Sequence, residues 1–257
     1  MEAIDNKALE QFRDVGHFTA RSGLTEVELG ELRTYFSKLY FSAKNPRGKY
    51  KVRVYDDFPY VLCKGLNLAT VEDFAWTAPR AVLALIDRIG MDLASRQILG
   101  AKDISLSLFR MHVTSGFAYS GPWHRDQPVS APETDVLCNL YLYDESGMNF
   151  LDKKSSLHTD GSFSFGSSVT EENVRTLCAK AGDVVYFDPK VIHKPEATYQ
   201  RMHLHFRYTT GFVEKMNLFN YRNYKEFYQR DVSAFGGVKR SFRFLKRLMS
   251  GDVKKIY

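Results

Sequence analysis

From Asp103 onward the chain breaks into short segments that alternate apolar and polar residues, and this rhythm constrains the fold more than any other feature. DISLSLFRMHV, VLCNLYLY, DVVYFD and RMHLHFRYTTGF all change character at a period near two. Successive residues of a strand point to opposite faces, so this is the period of a strand with two different sides. The segments are separated by turns rich in Gly, Pro, Ser and Asp. Several such strands at short intervals predict an antiparallel barrel or sandwich. With 44% hydrophobic and 14% aromatic residues, a 257-residue chain can bury a substantial core and is no candidate for disorder.

The first hundred residues have a different texture. ALEQFRDVGHFTAR reads as a short helix, then an extended segment after Gly16. In SGLTEVELGELRTYFSKLY, Thr25 is a plausible N-cap with acidic residues in the first turn. Leu29, Leu32, Tyr35, Phe36 and Leu39 then share one helical face. Residues 78–97 form a second amphipathic stretch that breaks near Gly90. No repeat, low-complexity segment or linker divides the chain. The expected organisation is one catalytic domain over 1–213, helical over 1–100 with a barrel core over about 101–213, and a basic helical extension over 214–257.

The charge follows this division. Residues 214–257 carry eleven Lys/Arg against four Asp/Glu, a net +7, which leaves the first 213 residues at −1 of the chain's +6. The body is near neutral and only the tail is basic, which speaks against nucleic acid as a partner. Cys63, Cys138 and Cys178 form no CxxC pair and suit a reducing, cytoplasmic setting as buried small hydrophobes. The first residues lack the basic-then-apolar pattern of a secretory signal. No stretch approaches the eighteen apolar residues of a membrane span.

The chemistry-bearing residues lie in the second half. In PWHRD, His124 and Asp126 are two apart, so an extended backbone presents both to the same side. Alone such a pair is weak, because HxD is common. Sixty-seven residues after Asp126, AGDVVYFDPKVIHKP brings a strand, a Pro turn and then His193. Two imidazoles and one carboxylate occupy one face of a non-haem iron(II) coordination sphere and leave the other face open. Eight residues beyond His193, Arg201 opens RMHLHFRY. A guanidinium there can hold the distal carboxylate of a 2-oxo acid through paired charge-assisted hydrogen bonds. Alternation places Arg201, His203, His205 and Arg207 on one side and Met202, Leu204 and Phe206 on the other. Arg201 and Arg207 are about 20 Å apart along a strand, so only one of them can serve that carboxylate. Arg201 is nearer His193, and Arg207 then falls to substrate or to a solvated strand end.

These segments resemble the phytanoyl-CoA dioxygenase-like family of iron(II)/2-oxoglutarate oxygenases. ALEQFRDVGHFTARSGLTEVELGELR is similar to that family's opening helix, Gly turn, strand and second helix. PWHRD matches its HxD segment, MNFLDKKSSLH its turn after the third barrel strand, AGDVVYFDPKVIHKP its distal-His segment and QRMHLHFRYT its Arg strand. The turn departs from the family's Gly-Ser-His, reading Ser155-Ser156-Leu157-His158, and the His193–Arg201 spacing is short. The resemblance implies a double-stranded β-helix (jelly-roll, cupin-like) core, with iron held by His124, Asp126 and His193. It also implies 2-oxoglutarate held by Arg201, O2 as oxidant, and succinate and CO2 as co-products. Related halogenases lack the carboxylate of HxD, so Asp126 implies hydroxylation or another oxygen-based outcome.

Other residues carry two readings. Asn139, Tyr141 and Tyr143 share one face of CNLYLY, where Asn139 or Tyr141 would meet a 2-oxoglutarate carboxylate or simply pack. Arg110 and His112 either face the site and an anionic substrate or are solvated. Trp123 points away from the site as a packing residue, His158 belongs to a turn, and His17 is expected exposed. The loop TSGFAYSGP could close as a lid. In the tail, Val238, Phe242, Phe244, Leu245, Leu248 and Met249 form one side of a helical wheel, and Lys239, Arg240, Arg243, Lys246 and Arg247 the other. Such a helix docks on the barrel or on another subunit, or it lies on an anionic membrane. The membrane reading would suit a lipid- or sugar-linked substrate in place of a free small molecule. Two rivals to the oxygenase are a metal-barrel enzyme that needs no 2-oxoglutarate, and a non-catalytic jelly roll that binds sugar or lipid.

Overall fold

The computed structural model of the protein describes residues 4–43, 52–54, 67–72, 79–115, 123–159, 169, 171–195 and 200–210. The tail from 214 and most of the proposed lid lie outside them, as does Cys63.

In chain order the elements are α1 (Asn6–Val15), β1 (His17–Arg21), α2 (Glu26–Ala43), β2 (Val52–Val54), β3 (Asn67–Glu72), α3 (Arg80–Arg88), α4 (Met91–Leu99) and β4 (Ile104–Ser115). Then come β5 (Asp135–Tyr141), β6 (Glu145–Leu151), α5 (Lys153–His158), β7 (Val174–Ala179), β8 (Asp183–Phe187), β9 (His193–Pro195) and β10 (Gln200–Thr210). Seven strands form one sheet in the order β1-β8-β5-β10-β4-β3-β2, and three form a second in the order β7-β6-β9. A reciprocal bridge between His124 and His193 adds the PWHRD segment beside β9. The chain therefore passes from β4 in the large sheet to His124 in the small one, back to β5, and on to the β6–β7 pair. It returns to β8, crosses to β9 and ends in β10. Every strand pair is antiparallel. This back-and-forth winding is the double-stranded β-helix.

Local sequence sets the helix ends. Thr25 and Glu28 form a reciprocal capping box at the start of α2: Glu28 N–H donates to Thr25 Oγ1 at 3.3 Å, and Thr25 N–H donates to Glu28 Oε2 at 2.8 Å. Gly90, at φ +70°, separates α3 from α4 where the amphipathic pattern breaks. Gly16 caps α1 at φ +86°, and a Cβ there would lie 2.4 Å from Val191 Cγ2. Only glycine lets α1 close on the turn that carries His193.

The large sheet has two dissimilar faces. Outward, Val136, Cys138, Leu140, Val184, Tyr186, Met202, Leu204, Phe206 and Tyr208 meet Leu32, Phe36, Leu83, Ile86 and Met91 from the helices in one buried cluster. Inward, Leu137, Tyr141, Val185 and Phe187 pack with Met148 and Phe150 of the small sheet. Leu106 and Met111 both face outward although five residues apart, an odd offset that strict alternation forbids. A bulge opposite Arg207/Tyr208 skips one β4 residue and restores the parity.

The first hundred residues also supply β1, β2 and β3 at the sheet's edges, beyond the extended segment anticipated after Gly16. Two expectations are corrected. His17 is buried, at 5% exposure, because β1 pairs with β8 and stacks this ring on Phe150 inside the barrel. Cys178 is exposed, since β7 is an edge strand of the small sheet, whereas Cys138 is buried as expected.

Candidate metal centre

His124, Asp126 and His193 come together: one ligand atom from each lies within 4.8 Å of the others. The backbone brings them there. His124 N–H donates to His193 O at 2.9 Å and His193 N–H returns to His124 O at 2.8 Å, so the two imidazoles stand side by side, ring centroids 4.3 Å apart. The N–H groups of Asp126 and Gln127 both donate to Pro189 O at 2.9 Å, which fixes the carboxylate's backbone to the turn preceding His193.

The donor chemistry suits a divalent ion. His193 Nδ1–H donates to Val191 O at 2.9 Å, which turns Nε2 toward Asp126 Oδ2, 3.6 Å away. Such a carbonyl partner orients a ligating imidazole and leaves the other nitrogen's lone pair for the metal. Burial, with His124 alongside, pushes the His193 pKa down to about 4 despite the Asp126 carboxylate, so the ring is neutral at physiological pH. Phe187 and Phe150 shield it, at 5.1 and 5.8 Å between ring centroids. Asp126, at 37% side-chain exposure, keeps the opposite side of the cluster accessible. Two imidazoles and a carboxylate on neighbouring backbone segments, one side open, fit a metal of the non-haem iron type.

Residue 125 points the other way from the pair. Arg125 is buried to 1% and its Nη2 donates to Ser156 O at 2.8 Å and Thr159 O at 2.9 Å, at the end of α5. Ile192 N–H donates to Ser156 Oγ at 3.0 Å. Helix α5, the SSLH turn of the sequence, is thus bonded to the segments that carry His124, Asp126 and His193. Its N-cap is Asp152, and His158 Nδ1 contacts Lys154 O at 2.7 Å within the helix. Trp123 packs with Leu151 and Ile192 away from the centre, with the Lys194 ammonium 4.9 Å above its ring.

The inner face of the large sheet continues from Phe187, which meets His193, to His205, whose ring centroid is 6.4 Å from that of Phe187. Tyr141 is buried there, its ring 5.3 Å from that of His203. Asn139 Oδ1 accepts from His205 Nδ1 at 2.7 Å. His112 stacks on His203 at 5.1 Å and meets His205 edge-on at 5.3 Å. Tyr143, expected on the same face as Asn139 and Tyr141, instead packs against the outer cluster under Arg33, because β5 ends at Tyr141 and alternation stops there. Arg207 Nε donates to Asp135 Oδ2 at 2.9 Å, and its Nη2 reaches the same oxygen. The side chains of Arg201 and Arg110 lie outside the described residues. Their backbones pair with Thr114 and with His205, both across the β4–β10 seam.

Sequence reasoning did not single out Arg125, Gln127 or Asp135, and it marked Ser156 only as part of the turn that departs from the family's pattern. Gln127 is next to Asp126, and residue 125 must face opposite its neighbours. Asp135 gave no signal, because Arg207 lies seventy-two residues away in the chain.

No protein-family model and no curated protein sequence matches this chain. Solved structures do. EctD from S. alaskensis, in its apoform, superposes at TM-score 0.63 with 13% identity, over 81% of this chain and 78% of that one. The epimerase SnoN, in complex with Fe3+, alpha ketoglutarate and nogalamycin RO, gives 0.59 at 14%, covering 79% and 82%. HygX from Streptomyces hygroscopicus, with nickel and 2-oxoglutarate bound, gives 0.57 at 14%, covering 84% and 90%. At these identities the likeness establishes a shared fold, the double-stranded β-helix anticipated above.

Proposed function

We propose that the protein is a non-haem iron(II)- and 2-oxoglutarate-dependent oxygenase of the phytanoyl-CoA dioxygenase-like type. The observation that carries this reading is the convergence of His124, Asp126 and His193, with His193 Nδ1 tied to a carbonyl and its ring kept neutral. Fold neighbours whose structures hold iron or nickel with 2-oxoglutarate support it. The fold neighbours include an epimerase and an alpha ketoglutarate dependent carbocyclase, so the fold admits several oxidative outcomes. Asp126 supplies the carboxylate that a halogenase-type site lacks, and hydroxylation of a small-molecule substrate is the outcome proposed.

His124, Asp126 and His193 would hold the iron, which with bound 2-oxoglutarate and O2 supplies the oxidising chemistry and releases succinate and CO2. Arg201, on the inward parity of β10, takes the far carboxylate, with Asn139 and Tyr141 on the adjacent strand as further polar partners. Phe150 and Phe187 keep water from the buried imidazole. His112, with Arg110 two residues before it on β4, faces an anionic part of the substrate. Arg207 is engaged by Asp135 and acts on the site through that carboxylate.

Anaerobic addition of iron(II) and then 2-oxoglutarate should produce a weak visible metal-to-ligand charge-transfer band, absent in His124→Ala. Arg201→Ala should weaken 2-oxoglutarate far more than iron. Iron binding without a band on adding 2-oxoglutarate would leave a metal-barrel enzyme of another kind, and no iron affinity at all would end the oxygenase reading.

A further inference from the structure

Asp126 poses a positioning problem that the two histidines do not. His193 is buried and hydrogen-bonded through its second nitrogen. The Asp126 carboxylate is 37% exposed, and at 3.6 Å its contact with His193 is too long for a hydrogen bond. Nothing in that contact stops it swinging. Its neighbour Gln127, however, reaches across to the large sheet, where its Nε2 donates to Asp135 Oδ2. The same oxygen receives Nε and Nη2 of Arg207. Asp135 is 3% exposed in its side chain and stands at the start of β5 opposite Thr209 of β10. Thr210 N–H donates to the carbonyl of the preceding Thr134 at 2.8 Å.

A buried carboxylate is an expensive way to gain stability, since an apolar side chain of similar volume often does as well. What three donors on one oxygen do provide is a fixed point. From the backbone side, Asp126 and Gln127 are tied to Pro189. From the side-chain side, Gln127 is tied through Asp135 to Arg207. We propose that Gln127, Asp135 and Arg207 form a positioning relay that orients the Asp126 carboxylate toward the metal. The relay rests on the metal-site reading above. In it Arg207 is a positioning residue acting on Asp126 through two intermediaries, Asp135 and Gln127, and contacts no substrate.

The test is cobalt(II) titration of the full-length protein, wild type beside Gln127→Ala and Arg207→Lys, followed by visible absorption and competition with a chelator. Gln127→Ala leaves the Asp135–Arg207 pair in place. It should raise the apparent Kd for cobalt(II) by about 10–100-fold, the range for loss of an outer-sphere partner, and shift the visible bands. Arg207→Lys keeps the charge but loses the fork, and should fall between Gln127→Ala and wild type. Leu204→Ala, destabilised on the opposite face of the sheet, is the control for mere loosening and should keep wild-type affinity and bands. If Gln127→Ala binds cobalt(II) within threefold of wild type and with unchanged bands, or if Leu204→Ala loses affinity equally, the relay is overturned. A wild type that binds no cobalt(II) would overturn the metal site itself, a separate and recognisable failure.

Discussion

The two faces of strand β10 are made by alternate residues of one eleven-residue segment, yet they serve opposite ends. Met202, Leu204, Phe206 and Tyr208 disappear into an apolar cluster with the helices. On the other face, His203 stacks on His112, His205 bonds Asn139, and Arg207 bonds Asp135. The outer face can be exchanged for any apolar set of similar volume at modest cost. The inner face is built from groups whose hydrogen-bonding directions matter. A strand of this kind divides labour by parity, with apolar packing on one side and directed polar contacts on the other.

The division can be attacked by mutation, starting where the effect is largest. Asp126→Ala removes a proposed ligand, 37% exposed, whose carboxylate lies 3.6 Å from His193. It should abolish detectable cobalt(II) binding while leaving the metal-free melting temperature close to wild type. A large drop in melting temperature would show that chemistry and stability are not separable on the inner side. Phe206→Ala should do the reverse, costing about 3–5 kcal/mol in urea unfolding. Metal affinity of the folded fraction should be unchanged.

His17 sharpens the comparison, because it is an inward imidazole that belongs to no metal-type cluster among the described residues. It stacks on Phe150 at 4.2 Å, and among the described residues neither ring nitrogen has a hydrogen-bond partner. Burial, helped by the nearby Arg175 charge, lowers its pKa to about 4 from 6.5. The fold holds it neutral, and its protonation favours unfolding. Stability from this residue is intact above pH 6.5 and drains away as pH falls toward about 4. The full loss is about 3 kcal/mol for a shift of this size. His17→Phe should flatten the acid limb of a stability–pH curve by one proton, leaving the His193 contribution. An unchanged slope would mean that the ring is solvated. The smallest effect belongs to neither face: Thr25→Ala removes one half of the α2 capping box and should cost about 1 kcal/mol with no change at the metal.

The sequence was most informative where one residue's role depends on its near neighbours. The HxD pair, the strand-turn-His segment, the capping box and the Gly90 break are all local grammar, and the structure keeps them. That His203 and His205 share one face of their strand, and Asn139 and Tyr141 one face of theirs, followed from period two; that both faces point inward did not. Strands β6, β7 and β9 escaped notice because pairing, more than propensity, defines them: β9 has three residues and β6 carries a register shift between Glu145 and Met148. His17 looked exposed because a single polar residue after a helix usually is. Only the pairing of β1 with β8 turns it inward. Cys178 looked buried because thiols commonly are, and edge position is invisible in one sequence. Asp135, Arg125 and Ser156 do their work across gaps of eight to seventy-two residues, a distance over which spacing carries no message.

The mutual backbone bonds of His124 and His193 have an evolutionary corollary. Adding or deleting one residue between Pro189 and His193 would send the imidazole to the far side of its strand, whatever the chemistry of the inserted residue. Drift in length at this seam is therefore forbidden where drift in composition is tolerated. Descendants of this chain could change most of the residues around this seam, provided the count of residues from the proline to the histidine never changes by one.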